Sequence, residues 1–135
     1  HIREIHEQLD SGIPCEYVLA PDPRDNDAVL ARLSPGALVI NATGLGKDAP
    51  GSPLTDAALF PERAVVWELN YRGDLVFLDQ ARAQEKSRQL QVEDGWTYFI
   101  HGWTQVIAEV FDITIPTSGP AFDEIAAIAA RVTGR

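Results

Sequence analysis

Residues 37–46 read ALVINATGLG, in which a continuous apolar run is followed at once by short polar residues and two glycines. A short apolar run without alternating polar positions is typical of a strand covered on both faces, as in a parallel sheet. Residues 64–69 read AVVWEL and form a second run of the same kind. These two runs predict two buried strands of a parallel sheet.

The rest of the chain alternates helical patterns with short apolar runs. Helices are expected at residues 2–9, 28–33, 75–81, 94–111 and 121–132, a helical turn at 55–59, a short strand at 15–20 and a weaker strand at 88–92. Such alternation predicts an α/β fold with an open, mostly parallel sheet. We therefore expect a partial Rossmann domain, doubly wound, with about four strands flanked by helices and with helices at its C-terminal end.

The composition predicts one globular domain and argues against nucleic acid and membranes as partners. The 135 residues suffice for one core, and 45% of them are hydrophobic, as in ordinary globular proteins. The net charge of −9 has the wrong sign for neutralising the phosphates of nucleic acid. The longest apolar runs fall far short of the roughly 20 residues that cross a bilayer. We expect a soluble, cytoplasmic protein that binds neither nucleic acid nor a membrane.

Further expectations concern the chain as a whole and its reactive side chains. Because the sequence contains no methionine, we expect residues 1–135 to be part of a longer protein. Cys15 is predicted to be a buried thiol within the strand at 15–20, since an unpaired cysteine packs as a small apolar residue. No His, Cys or carboxylate pair has metal-ligand spacing, so no metal site is predicted. Solvated surface positions are expected for His1, His6, Lys47 and Lys86.

Polar residues and glycines follow three of the expected strands, which end at Ile40, Leu69 and Val92. Residues 41–46 read NATGLG, residues 68–74 read ELNYRGD, and residues 93–96 read EDGW. The carboxyl ends of parallel strands lie on one edge of the sheet, where ligands of open α/β sheets bind. We therefore expect the three segments to line one crevice, although glycine-rich loops of this composition also fit ordinary turns.

The same three segments resemble a known family in their order and spacing. They contain Val39-Ile40-Asn41-Ala42-Thr43 with Gly46, then Glu68-x-x-Tyr71 where the family has Asp-x-x-Tyr, then Asp94-Gly95 opening a helix that carries His101. This arrangement resembles the C-terminal half of the nucleotide-binding domain of shikimate and quinate dehydrogenases. The resemblance covers nearly the whole chain.

The resemblance implies an oxidoreductase that uses NADP, or NAD, to move a hydride to or from a hydroxy or keto carbocyclic acid such as shikimate. It implies that Tyr71 reaches the substrate. The glycine-rich phosphate fingerprint and the catalytic Lys and Asp of the family would precede His1, so residues 1–135 alone are expected to be inactive. The cofactor contacts that the resemblance implies are Asn41, Ala42, Thr43, Leu69 and Gly95.

The expected long helix departs from the family pattern. The family has a substrate-binding Gln where this chain has Gly102, and Gln105, one turn further along, is a candidate replacement for that amide. An exposed or purely structural Gln105 is the alternative. His101 is expected to pack or to face solvent. Helical spacing predicts that one face is buried, formed by Phe99, Trp103, Val106 and Val110.

A second class of function fits the same residues. A non-catalytic α/β module that binds a nucleotide or a protein partner needs neither the phosphate fingerprint nor the catalytic pair. The glycine at position 102 favours this alternative, whereas the order of the three motifs favours the oxidoreductase.

Overall fold

The computed structural model describes residues 2–9 and 12–134, so the expectation for His1 lies outside the described residues. Helices and strands alternate along this part of the chain, which confirms the α/β class. The helices are α1 (Ile2–Leu9), α2 (Pro23–Leu30), α3 (Val76–Arg88), α4 (Trp96–Phe111) and α5 (Pro120–Thr133), and the strands are β1 (Leu38–Asn41), β2 (Val65–Glu68) and β3 (Gln91–Glu93).

The strands form one parallel sheet in the order β1-β2-β3. Leu38 pairs with Val65, and Val65 pairs with Gln91, so the three strands start level with one another. Their carboxyl ends therefore share one edge of the sheet. The expectation of about four strands is wrong for the part of the chain that the structure describes, where the sheet has three strands.

The missing strand is the one expected at residues 15–20, which are described but belong to neither a strand nor a helix. Leu19 is 90% exposed, and Cys15 is also exposed, so the prediction of a buried thiol is wrong. Tyr17 instead contacts α1, where its hydroxyl oxygen lies 2.6 Å from His6 Nδ1. A β-prone composition describes a fit to a pleated surface, and it produces a strand only where a neighbouring strand is present.

The two connections between the strands differ in structure. The connection from β2 to β3 contains α3, as expected, whereas residues 42–64, all of them described, contain no helix. The helical turn expected at 55–59 is reduced to one backbone bond from Ala58 N–H to the Thr55 carbonyl, 3.1 Å. Thr55 Oγ1 accepts a bond from Ala57 N–H at 3.1 Å, and such local side-chain bonds compete with helix formation.

Helix α2 begins at an acidic cap, Asp22, so it spans Pro23–Leu30 and starts earlier than the expected helix at 28–33. Asp22 Oδ1 accepts a hydrogen bond from Arg24 N–H at 2.9 Å, and Asp25 bonds back to the Asp22 backbone. The side-chain hydrogen bond from Arg24 lowers the pKa of Asp22 to about 2. The carboxylate therefore stays ionised at the positive end of the helix dipole.

One face of the sheet carries the hydrophobic core. Val66 is fully buried on this face, and the rings of Phe60 and Phe77 meet edge to face with centroids 5.6 Å apart. The core cluster contains residues from the connections as well as from the helices. Its members are Leu30, Leu54, Ala58, Phe60, Ala64, Val66, Phe77, Ala81 and Leu90.

The opposite face of the sheet is only partly covered. Leu38 and Ile40 of β1 remain 58% and 45% exposed, so the expectation that this strand is covered on both faces is wrong within the described residues. On β2, the ring of Trp67 is met edge-on by Tyr98 of α4, with centroids 5.7 Å apart. Among the described residues, no helix is both long and apolar enough to cross a membrane.

The burial of Phe60 leads to a test of the core. Phe60→Ala removes a ring with no exposed surface, and we expect the free energy of unfolding to fall by about 3 to 5 kcal/mol. Leu59→Ala is the matched control, because Leu59 is 61% exposed and its truncation should change stability by less than about 0.5 kcal/mol. Urea denaturation of both variants measures the difference, and equal small losses would contradict this account of the core.

Candidate functional site

A buried hydrogen bond joins the carboxyl ends of β1 and β2. Asn41 Nδ2 donates to Glu68 Oε2 at 2.7 Å, and Asn70 N–H donates to Glu68 Oε1 at 2.8 Å. Asn41 and Glu68 are 1% and 0% exposed. Both carboxylate oxygens of Glu68 therefore accept bonds inside the protein, as burial of a charged group requires.

The oxygen of the Asn41 amide shapes the turn that follows β1. Asn41 Oδ1 accepts bonds from Thr43 N–H at 3.1 Å and from Thr43 Oγ1 at 2.7 Å. Leu45 N–H in turn donates to Thr43 Oγ1 at 3.2 Å. Because its nitrogen faces Glu68 and its oxygen faces Thr43, the Asn41 amide has one favourable orientation.

Asn70 connects the other two segments to this turn. Its Nδ2 donates to the Leu45 carbonyl at 3.2 Å, and its own carbonyl accepts a bond from Gly95 N–H at 3.1 Å. Asn41, Glu68 and Asn70, which we call the edge network, thus hold together the three segments that follow the strands. The expectation that these segments meet at one edge of the sheet is confirmed for their backbones.

Burial raises the pKa of Glu68, and the hydrogen bonds from Asn70 and Asn41 oppose that rise. The carboxylate has no exposed surface, so Glu68 positions the edge rather than contacting a ligand there. The sequence alone predicts no role for the Glu68 side chain. The available signal was a single charged residue at the end of the otherwise apolar run 64–69, since ionisable residues are rarely buried without partners.

The structure places the implied cofactor contacts in different environments. Ala42 and Thr43 are exposed, Leu69 is half-buried, and Asn41 and Gly95 are buried. The Asn41 side chain is already bonded within the edge network, so Ala42, Thr43 and Leu69 are the members of this set whose surfaces face outward.

Leu69 and Tyr71 line a cavity of about 310 Å³ between the end of β2 and α4. The Tyr71 ring stacks on Phe99 with centroids 3.8 Å apart and an interplanar angle of 20°, and Phe99 meets Trp103 at 6.2 Å. Three aromatic side chains thus form a continuous wall. We call this the aromatic cavity, and its lining residues are Lys47, Leu69, Tyr71, Tyr98, Phe99, Gly102, Trp103 and Val106.

Gln105 is exposed on α4 and is not among the residues that line the aromatic cavity, whereas Gly102 is. The structure therefore does not bring Gln105 together with Tyr71. His101 stacks on Phe122 of α5 with ring centroids 4.3 Å apart, which agrees with a packing role.

Helix α4 buries a different face from the one predicted. Ile100 and Thr104 are its buried residues, while Trp103, Val106 and Val110 are 54%, 50% and 71% exposed. The prediction failed because apolar residues occur on several sides of this helix. Contacts with the rest of the fold then select the buried side.

Lys47 is also placed differently from the expectation of a solvated side chain. Its side chain is only 23% exposed, and its ammonium lies 3.0 Å from Asp48 Oδ2. Lys86 is exposed on α3, as expected. Among the described residues, no three His, Cys, Asp or Glu side chains are grouped so that they hold a metal ion.

The buried Glu68 carboxyl makes the stability of the fold depend on pH. Because its folded-state pKa is raised above the ordinary 4.5, its contribution to stability is fully present below about pH 4.5 and is lost as pH rises through the folded-state value. We expect the stability of the native chain relative to Glu68→Gln to decrease as pH rises, by about 1.4 kcal/mol for each unit by which the pKa is raised.

Urea denaturation of both proteins between pH 4 and pH 8 measures this dependence. The Gln variant serves as the reference, because it retains every other titrating group. A stability difference that is constant with pH, or that grows as pH rises, would contradict a raised pKa.

Two glycines near the cavity should respond in opposite ways to a methyl group. A Cβ at Gly95 would overlap the carbonyl oxygens of Leu69 and Asn70, whereas a Cβ at Gly102 meets no atom within 4 Å. Gly95→Ala should therefore destabilise the fold by about 3 kcal/mol. Gly102→Ala should stabilise it by about 0.5 to 1 kcal/mol, because alanine favours helix. Thermal or urea denaturation compares them, and similar losses in both variants would refute the packing at Gly95.

No protein-family model matches this chain, and neither a curated protein nor a solved structure matches it.

Proposed function

We propose that this chain forms the nicotinamide side of the cofactor site in an NADP-dependent oxidoreductase similar to shikimate and quinate dehydrogenases. The observation that carries the proposal is the convergence of the three motif segments at one edge of a parallel sheet. Asn41, Leu69 and Gly95 are joined there through backbone and side-chain hydrogen bonds.

The sheet geometry supports a dinucleotide at this edge. In open α/β sheets, ligands bind beyond the carboxyl ends of the strands. Ala42 and Thr43 present exposed surface beyond β1, and Leu69 presents part of its apolar side chain beyond β2. These residues would hold the nicotinamide end of the cofactor, and the aromatic cavity beside Leu69 would hold the substrate ring.

In this proposal the bound nicotinamide supplies the hydride chemistry, between its C4 atom and a ring carbon that bears a hydroxyl or keto group. The chain's own residues bind and orient. Leu69 and the aromatic wall would exclude water from one side of the reacting atoms, and Tyr71, which lines the cavity with its ring stacked on Phe99, would contact the substrate ring. The edge network holds the three segments together at the edge of the sheet.

The alternative is a non-catalytic module that binds a nucleotide or a protein. The exposed apolar side chains of α4 favour a protein partner, because Trp103, Val110 and Phe111 are 54%, 71% and 68% exposed. Binding of NADP at the sheet edge distinguishes the two functions.

Titration with NADP, followed by amide chemical shifts, tests the oxidoreductase proposal. We expect shifts concentrated at Ala42, Thr43 and Leu69. Ala42→Glu places a carboxylate beside the phosphate-bearing cofactor and should weaken binding about fivefold at low salt. Ala57→Glu is the matched control, because it adds the same charge at an exposed alanine in the connection that leads into β2.

The control variant should bind NADP like the native chain, and a parallel titration with NAD determines the cofactor preference. Shifts that lie elsewhere, equal effects of the two glutamates, or no NADP binding at millimolar concentration would overturn the proposal and favour the binding module.

A further inference from the structure

We propose that Lys47 is the carboxylate-binding residue of the aromatic cavity and selects a ring substrate that carries one negative charge. The inference rests on the proposed function, because it assigns a specificity-determining residue to the same site. The sequence predicts a solvated side chain for Lys47, whereas in the structure this side chain is only 23% exposed and lines the aromatic cavity.

The backbone holds Lys47 beside the segment that carries Tyr71. Gly73 has a φ of 98°, and a Cβ there would overlap the Gly46 carbonyl and the Cα of Lys47. Gly46 N–H also donates to the Ala49 carbonyl at 2.7 Å, which closes the turn around Lys47. The two loops are therefore packed backbone to backbone, and Lys47 is among the residues that line the aromatic cavity.

The lining of the cavity defines what kind of ligand fits it. Among the described residues that form the lining, Lys47 is the one that carries a charge. Tyr71, Phe99 and Trp103 provide aromatic surface, and Leu69 and Val106 provide aliphatic surface. A ligand complementary to this lining has an apolar ring face and a single anionic group.

The Lys47 ammonium can exchange its ion pair with Asp48 for a bond to a ligand carboxylate. Its side chain is 23% exposed, whereas Asp48, whose Oδ2 lies 3.0 Å away, has a side chain that is 60% exposed. Asp48 is the exposed partner in this ion pair, and because water competes for its carboxylate the pair contributes little to stability. A ligand carboxylate in the cavity would form a charge-assisted hydrogen bond with the same ammonium.

The neighbouring charges are compatible with this exchange. Arg72 lies over the Tyr71 ring with its guanidinium carbon 5.9 Å from the centroid, and its Nη2 is 3.9 Å from Asp48 Oδ1. When the Lys47 ammonium binds a ligand, Arg72 remains as a cationic neighbour of Asp48. The chain carries a net charge of −9, so a local cation is needed to attract an anionic substrate to this edge.

A cycle that removes the charge from the protein and from the ligand tests the proposal. The probes are shikimate and its neutral methyl ester, titrated into the full chain and followed by amide chemical shifts. Lys47→Met retains the length of the side chain without its charge, and Lys86→Met is the matched control on the exposed face of α3. Thermal melting of each variant establishes that it is folded.

We expect Lys47→Met to weaken shikimate binding about tenfold, in line with the loss of a charge-assisted hydrogen bond. Binding of the methyl ester should be the same in the native chain and in both variants, and Lys86→Met should bind shikimate normally. A purely structural role for Lys47 would weaken both ligands equally, and that result would overturn the proposal.

Three other outcomes also decide against Lys47. Unchanged shikimate affinity in Lys47→Met, or no shikimate binding by the native chain, would show that the residue does not bind the carboxylate. A loss confined to NADP would assign the ammonium to a cofactor phosphate instead. NADP binding is scored separately at Ala42 and Thr43, so failure of this inference is distinguishable from failure of the proposed cofactor site.

Discussion

The hydrogen bond between Asn41 Nδ2 and Glu68 Oε2 is the contact on which the carboxyl edge of the sheet depends. A buried carboxylate is stable only when its oxygens have donors, and Asn41 and Asn70 supply them. Each donor residue also bonds to a loop. The need to solvate one charge inside the protein thus brings the ends of two strands and three connections into a single arrangement.

Two kinds of residue occur at the candidate site. Some are buried and support the edge of the sheet, and others are exposed at its surface. Asn41, Glu68 and Gly95 are buried, and their polar groups or backbone contacts are used within the protein. Thr43 contributes to the same hydrogen bonds, yet it remains exposed together with Ala42. A motif therefore contains both buried supporting residues and exposed residues, and spacing along the chain does not distinguish them.

The aromatic cavity is likewise formed by residues from different segments of the chain. Its wall comes from α4, and its charge comes from the glycine-rich loop after β1. Gly73 and Gly46 allow the two loops to approach closely enough for Lys47 to reach the same cavity as Tyr71. The chemistry available to a ligand is thus set by backbone packing between segments that are distant in sequence.

The amino-acid sequence by itself determined the α/β class, the presence of helices α1 to α5 and the placement of polar segments at one sheet edge. These features depend on local apolar runs and on the direction of parallel strands. Only the tertiary structure decided that residues 15–20 stay outside the sheet, that α4 buries Ile100 and Thr104, and that Lys47 lines the cavity. Burial and pairing depend on partners far along the chain, whereas periodicity reports only the preferences of neighbouring residues.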